Sequence, residues 1–161
     1  MASSRSATAT APLDDAPFST QGPIACSDAL ARTAAETCRQ HERLSKLMTL
    51  AVGKGELGAA HAMVDTIDLA LAEAVHEFEK KCAKAPVSDQ PDVRMAANAM
   101  WLSAREYLRR HSIAERASRQ IGPGGDSLGD LHFEYELEAS ALLGLKQATA
   151  AYQKLRPETK S

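Results

Sequence analysis

A chain of 161 residues suffices for one domain around a single core. Aromatic residues make up only 4% while alanine is abundant, which favours helices over sheets because alanine loses no side-chain entropy in a helix. A net charge of -2 excludes a global attraction to nucleic acid or anionic membrane, and no apolar run approaches the roughly 20 residues that span a bilayer.

Three cysteines, Cys26, Cys38 and Cys82, form no close pair. That argues against a disulfide framework and against a cysteine-based zinc site, and a reducing, cytoplasmic setting is the simpler expectation. Residues 1–26 read as a disordered tail. They hold Pro12, Pro17 and Pro23, with Leu13, Phe18 and Ile24 as the only apolar anchors, and they show no helical period. The Ser, Thr and Ala of its opening resemble an organellar transit peptide, but Asp14 and Asp15 follow closely.

A bundle is expected over residues 27–156. Ser27 or Asp28 is placed to cap a first helix whose seam runs Leu30, Ala34, Thr37, His41, Leu44, Met48 and Ala51. Gly53 and Gly55 predict a helix end and a reversal. The second helix is expected from Glu56 to about Lys84, with Leu57, Ala60, Val64, Ile67, Leu71, Ala74 and Phe78 on its seam. Pro86 and Pro91 bound the next break, with Asp89 as a cap.

The third helix, Pro91 to Ile121, carries the most regular seam. Val93, Ala97, Met100, Ala104, Tyr107, His111, Ala114, Ser118 and Ile121 alternate three and four apart. Gly122-Pro123-Gly124-Gly125 ends it, and Ser127-x-x-Asp130 has the form of a capping box. The fourth seam is Leu128, Leu131, Tyr135, Glu138, Leu142, Leu145, Thr149 and Tyr152, stopping near Arg156-Pro157 and leaving 157–161 as a short tail. Equal helices joined by short breaks predict an all-α, antiparallel up-down-up-down four-helix bundle.

Three seams contain a polar residue: His41, His111 and Glu138. Counted from the ends near Gly53 and Gly122, all three fall at one level, about 15 Å in at 1.5 Å per residue. Asp68 flanks the second seam at that height. Unpartnered buried groups of this kind cost several kcal/mol, so their meeting has a physical motive. Two imidazoles with carboxylates are a ligand set for Zn²⁺ or Fe²⁺ and would suit an oxidoreductase. The same residues could equally form a hydrogen-bonded layer that fixes helix register, with Tyr107 and Tyr135 a turn away, or reach solvent at the rim.

Three short patterns resemble known bundle families. Glu73-x-x-His76 is similar to the Glu-x-x-His of ferritin-like di-iron proteins, which need it on two helices; here it occurs once, on an outer face. His111-Ser-Ile-Ala-Glu115 resembles the His-x-x-x-Glu of hemerythrin-like proteins, whose His-x-x-x-His is absent. Gly55 to His61 resembles the approach to the phosphorylated histidine of histidine phosphotransfer domains, but Ala62-Met63-Val64 stands where that family has a Leu-Lys-Gly-type sequence. The resemblance implies a signalling role for His61, and the departure removes the lysine that would favour an incoming phosphoryl group.

Arg105, Arg109, Arg116 and Arg119 share one face of the third helix, extended by Trp101. Such a face suits an acidic protein partner. Without interleaved aromatics or a glycine-bearing recognition motif it argues against nucleic acid. Glu115 is spaced to pair with Arg119, and Glu106 with Arg110. Ala96, Ala97 and Ala99 offer a small-residue surface for a homo-oligomer. No phosphate loop, nucleophile elbow or HExxH is present, so the sequence leans away from an enzyme. The leading expectation is an interaction module, an adaptor or assembly subunit using Trp101–Arg119 or a bundle groove, with no cofactor. The alternative is a Zn or Fe bundle at His41, Asp68, His111 and Glu138.

Overall fold

The computed structural model describes residues 22–50, 52–121 and 128–160. They form four long helices, α1 (Pro23–Thr49), α2 (Lys54–Cys82), α3 (Pro91–Arg119) and α4 (Leu128–Leu155), followed by a 3-10 turn, Pro157–Thr159. The described residues are thus all-α, a four-helix arrangement. Residues 1–21 of the expected tail, the Gly122–Gly125 break and the Ser127 end of the capping box lie outside the described residues.

Several boundaries differ from the sequence expectation. The first helix begins at Pro23, not at Ser27 or Asp28, with Gly22 as its extended cap. Proline suits that first position because its ring presets φ and its missing N–H has no intrahelical partner to lose. Ser27 and Asp28 are therefore buried inside the helix. Gly53 caps the start of α2, and α1 already ends at Thr49. The cap of α3 is Gln90, while the Asp89 carbonyl accepts from Arg94. Residues 157–159 are no loose tail: Thr159 is buried, and its carbonyl accepts from the Gln153 side chain at 3.0 Å.

Side-chain contacts show how the helices run. Asp28 on α1 meets Tyr152 and Arg156 on α4, whereas Glu42 meets Lys146. Numbers rise along α1 as they fall along α4, the order that oppositely directed neighbours give. The same inversion relates α2 to α3, where Glu79 meets Trp101 and Asp68 meets Tyr107.

The most extensive packing is within two hairpins, α1 on α2 and α3 on α4. The main core joins them through Leu30, Leu71, Phe78, Met100, Tyr107, Leu145 and Tyr152. It stops at the level of Tyr107. Beyond that level, among the described residues, a small cluster of Leu44, Ala60 and Val64 is confined to α1 and α2, and α3 buries only the small side chains of Ala114 and Ala117. The first half of α4 has no fully buried residue until Leu145. Of the residues expected on seams, Met48 is 62% exposed, Leu128 73% and Tyr135 47%. One half of the protein is closed, and the other is open.

Candidate functional site

The boundary between the halves is polar. Asp68 projects from α2 into the gap between the hairpins and is only 6% exposed. The sequence placed it on the flank with Ile67 on the seam, but the structure buries Asp68 and leaves Ile67 half-buried. Its carboxylate accepts from the Tyr107 hydroxyl, 3.1 Å from each oxygen. His41 Nε2 on α1 lies 3.1 Å from Asp68 Oδ1 and 2.6 Å from the same hydroxyl. Tyr107 is the centre of the layer and stacks on His111 one turn along α3.

His111 extends the network to the fourth helix. Its Nδ1 donates to Glu138 on α4 in a short contact. Its Nε2 lies 3.5 Å from Asp68 Oδ2 and 3.5 Å from Glu115 Oε2. The structure therefore brings together His41, Asp68, His111 and Glu138. It adds Tyr107 as their hub and Glu115 on the rim. Sequence spacing pairs Glu115 with Arg119, but it reaches back instead to His111, the i,i+4 partner on its other side. Tyr135, the other expected helper, is exposed.

The electrostatics follow from this crowding. The Glu138 hydrogen bond raises the His111 imidazole above its ordinary pKa against the opposing effect of burial, with Asp68 and Glu115 adding to the rise. Burial, together with the Asp68 and Glu138 charges, pushes the Tyr107 phenol far above its usual range, so it remains a neutral donor. Three carboxylates thus face two imidazoles and no lysine or arginine within the layer's hydrogen bonds and ion pairs. As the side chains stand, no three His, Cys, Asp or Glu among the described residues surround one point as metal ligands. A cleft of about 400 Å³ between α1 and α4, lined by His41, Glu42, Ser45, Lys46 and Leu142, leads to the layer from solvent.

Compared with protein-family models, with curated proteins and with solved structures, the chain matches none. The residues themselves carry what can be said of function.

The arginine face divides in two. Trp101 is half-buried against the core, and its indole N–H donates to Glu79 Oε2 at 2.9 Å. Arg105 sits 5.3 Å above the indole ring and pairs with the same Glu79. Arg109 and Arg110 both donate to Glu106. These residues tie α3 to α2 and to itself. Arg116 and Arg119, near the open end, are exposed and pair with no described carboxylate. Ala97 is fully buried in the core and Ala96 packs against it, so the three alanines form no common outer surface.

His61 is exposed on α2, as are Glu73 and His76. The main site-like feature that sequence reasoning missed is Asp28. Its carboxylate accepts from the Tyr152 hydroxyl at 2.7 Å and from two Arg156 nitrogens at 3.1 and 2.6 Å. The signal was present in Pro23, which starts the helix early enough to put Asp28 on its inner face.

Proposed function

We propose that the protein is a non-catalytic helical interaction module that receives a polypeptide partner at the open end of the four helices. One observation carries this reading: the shared core stops at the Tyr107 layer and leaves the seam residues Met48, Leu128 and Tyr135 in solvent. Large apolar side chains at positions patterned for burial favour a surface that a second molecule covers. Arg116 and Arg119 at the same end suit a partner that carries carboxylates beside its apolar face. Trp101, Arg105 and Arg109 contribute less, because Glu79 and Glu106 already hold them.

Site-specific photo-crosslinking in cells tests the reading. A crosslinker at position 48 or 135 should capture one defined partner, and Tyr135→Glu should abolish capture from position 48. A crosslinker replacing Met95, which is exposed in the closed half, is the control. Equal capture from position 95, or none from 48 and 135, would overturn the proposal. Capture of a second copy of the chain would identify the partner as the protein itself.

A further inference from the structure

The polar layer does something an apolar seam would not. Glu138 accepts from His111 Nδ1 and so, in the neutral ring, leaves the lone pair on Nε2. That nitrogen faces Asp68 Oδ2 and Glu115 Oε2 at 3.5 Å each. Both are too long for a good hydrogen bond. Two ligands that share an ion at about 2.1 Å in tetrahedral geometry stand about 3.4 Å apart. On the other side of Asp68, His41 Nε2 stands 3.1 Å from Oδ1. The unbalanced charge points the same way, since three carboxylates surround two imidazoles in a partly buried gap.

We infer that this layer binds one divalent transition-metal ion, zinc or iron(II), through His111 Nε2, Asp68 and Glu115, with His41 as the fourth donor. The roles differ from those the sequence suggests. Glu138 is a positioning residue that fixes the His111 tautomer and ring, as the outer carboxylate does behind many metal-bound imidazoles. Glu115, on the solvent side, is the ligand that the sequence reading assigns elsewhere. The Tyr107 hydroxyl lies between His41 and Asp68, 2.6 Å from the imidazole. Entry of the ion requires that hydroxyl to swing aside from His41 Nε2. The cleft beside His41 provides the path. Imidazole and carboxylate donors suit zinc and iron(II), and nothing in the layer supplies the thiolate that would select a softer ion.

The test uses the full, untagged chain, stripped with a chelator and titrated with Co²⁺ as a spectroscopic probe and Zn²⁺ in competition with a chromophoric chelator. The expected result is one ion per chain at micromolar affinity or tighter, with visible Co²⁺ absorption of four- or five-coordinate strength. Glu138→Gln should weaken binding about 10- to 100-fold, the usual loss when an outer-shell partner is removed. His111→Ala should abolish it. His132→Ala is the control, because His132 and Glu136 form an exposed pair of the same spacing elsewhere. If His111→Ala fails to fold by circular dichroism, the wild-type spectrum and Glu138→Gln decide the question. Absence of binding below millimolar metal, or affinity unchanged in Glu138→Gln, would overturn the assignment.

Discussion

The closed and open halves of this protein use the same four helices and the same seam spacing, yet only one has a shared core. In the closed half, Leu30, Leu71, Met100 and Leu145 come from all four helices and are fully buried. In the open half, Leu44 packs with Ala60 and Val64 inside one hairpin, while Leu128 and Tyr135 on the other face water. The difference lies in the layer between them. The hydrogen-bonded cross-hairpin contacts reach as far as His41, Asp68, Tyr107 and His111 and are not continued beyond them among the described residues. A periodic seam shows which face of a helix is apolar. It does not show how deep that face lies.

Mutations should separate the halves, beginning with the largest effect. Asp28→Ala removes the charged acceptor of the Tyr152 hydroxyl and of two Arg156 nitrogens from a part-buried pair in the closed half and should cost about 3–4 kcal/mol. Urea unfolding should register that loss, and a loss below about 1 kcal/mol would mean the pair is solvated. Next, Leu145→Ala removes a fully buried side chain and should cost about 3 kcal/mol, whereas Leu128→Ala in the open half should change stability by less than about 0.5 kcal/mol. Similar values for the two leucines would erase the distinction between the halves.

Tyr107→Phe tests the boundary itself. It deprives the Asp68 carboxylate of a hydroxyl donor and should cost about 1–2 kcal/mol, an intermediate effect. Native-state hydrogen exchange should then show amides of residues 131–143 opening at lower free energy than those of residues 145–153, because the former carry few buried contacts. The smallest expected signal is chemical. Burial pushes the Cys38 thiol up to about 11, so alkylation at neutral pH should be slow in the native protein and fast after denaturation. Rapid native labelling of Cys38 would mean that the core around it opens in the folded protein.

Much of this was legible from sequence, and the departures have physical causes. The third seam is correct from Val93 to Ala114 but ends on Ala117 instead of Ser118. That move is one residue back, opposite to the slip of about 20° per heptad that a three-four pattern accumulates against 3.6 residues per turn, so tertiary packing sets it. On α2 the buried face moves one residue on, exchanging Ile67 for Asp68, which is the direction that the slip gives. The joining of His41 to His111 by way of Tyr107 was hidden for another reason. Seam position gives height and face, whereas a shared hydroxyl depends on the separation of two hairpins. Likewise, Trp101 and Arg105 looked free because their partner, Glu79, belongs to a neighbouring helix.

The pairing of Asp28 with Arg156, and of the Arg32 guanidinium with the Glu158 carbonyl at 3.5 Å, has one more consequence. It sets the beginning of α1 beside the end of α4. A peptide joining residues 22 and 160 would cross about 15 Å, the length of α1 between residues 22 and 32 at 1.5 Å per residue, and the chain could then be reopened between Thr49 and Lys54. In such a circular permutant the strongest cross-hairpin attachment becomes a covalent turn, while the link between α1 and α2 becomes a pair of free ends at the open half. The order of the helices along the chain would change with the core left in place, and the open half would gain the freedom to spread around whatever it holds.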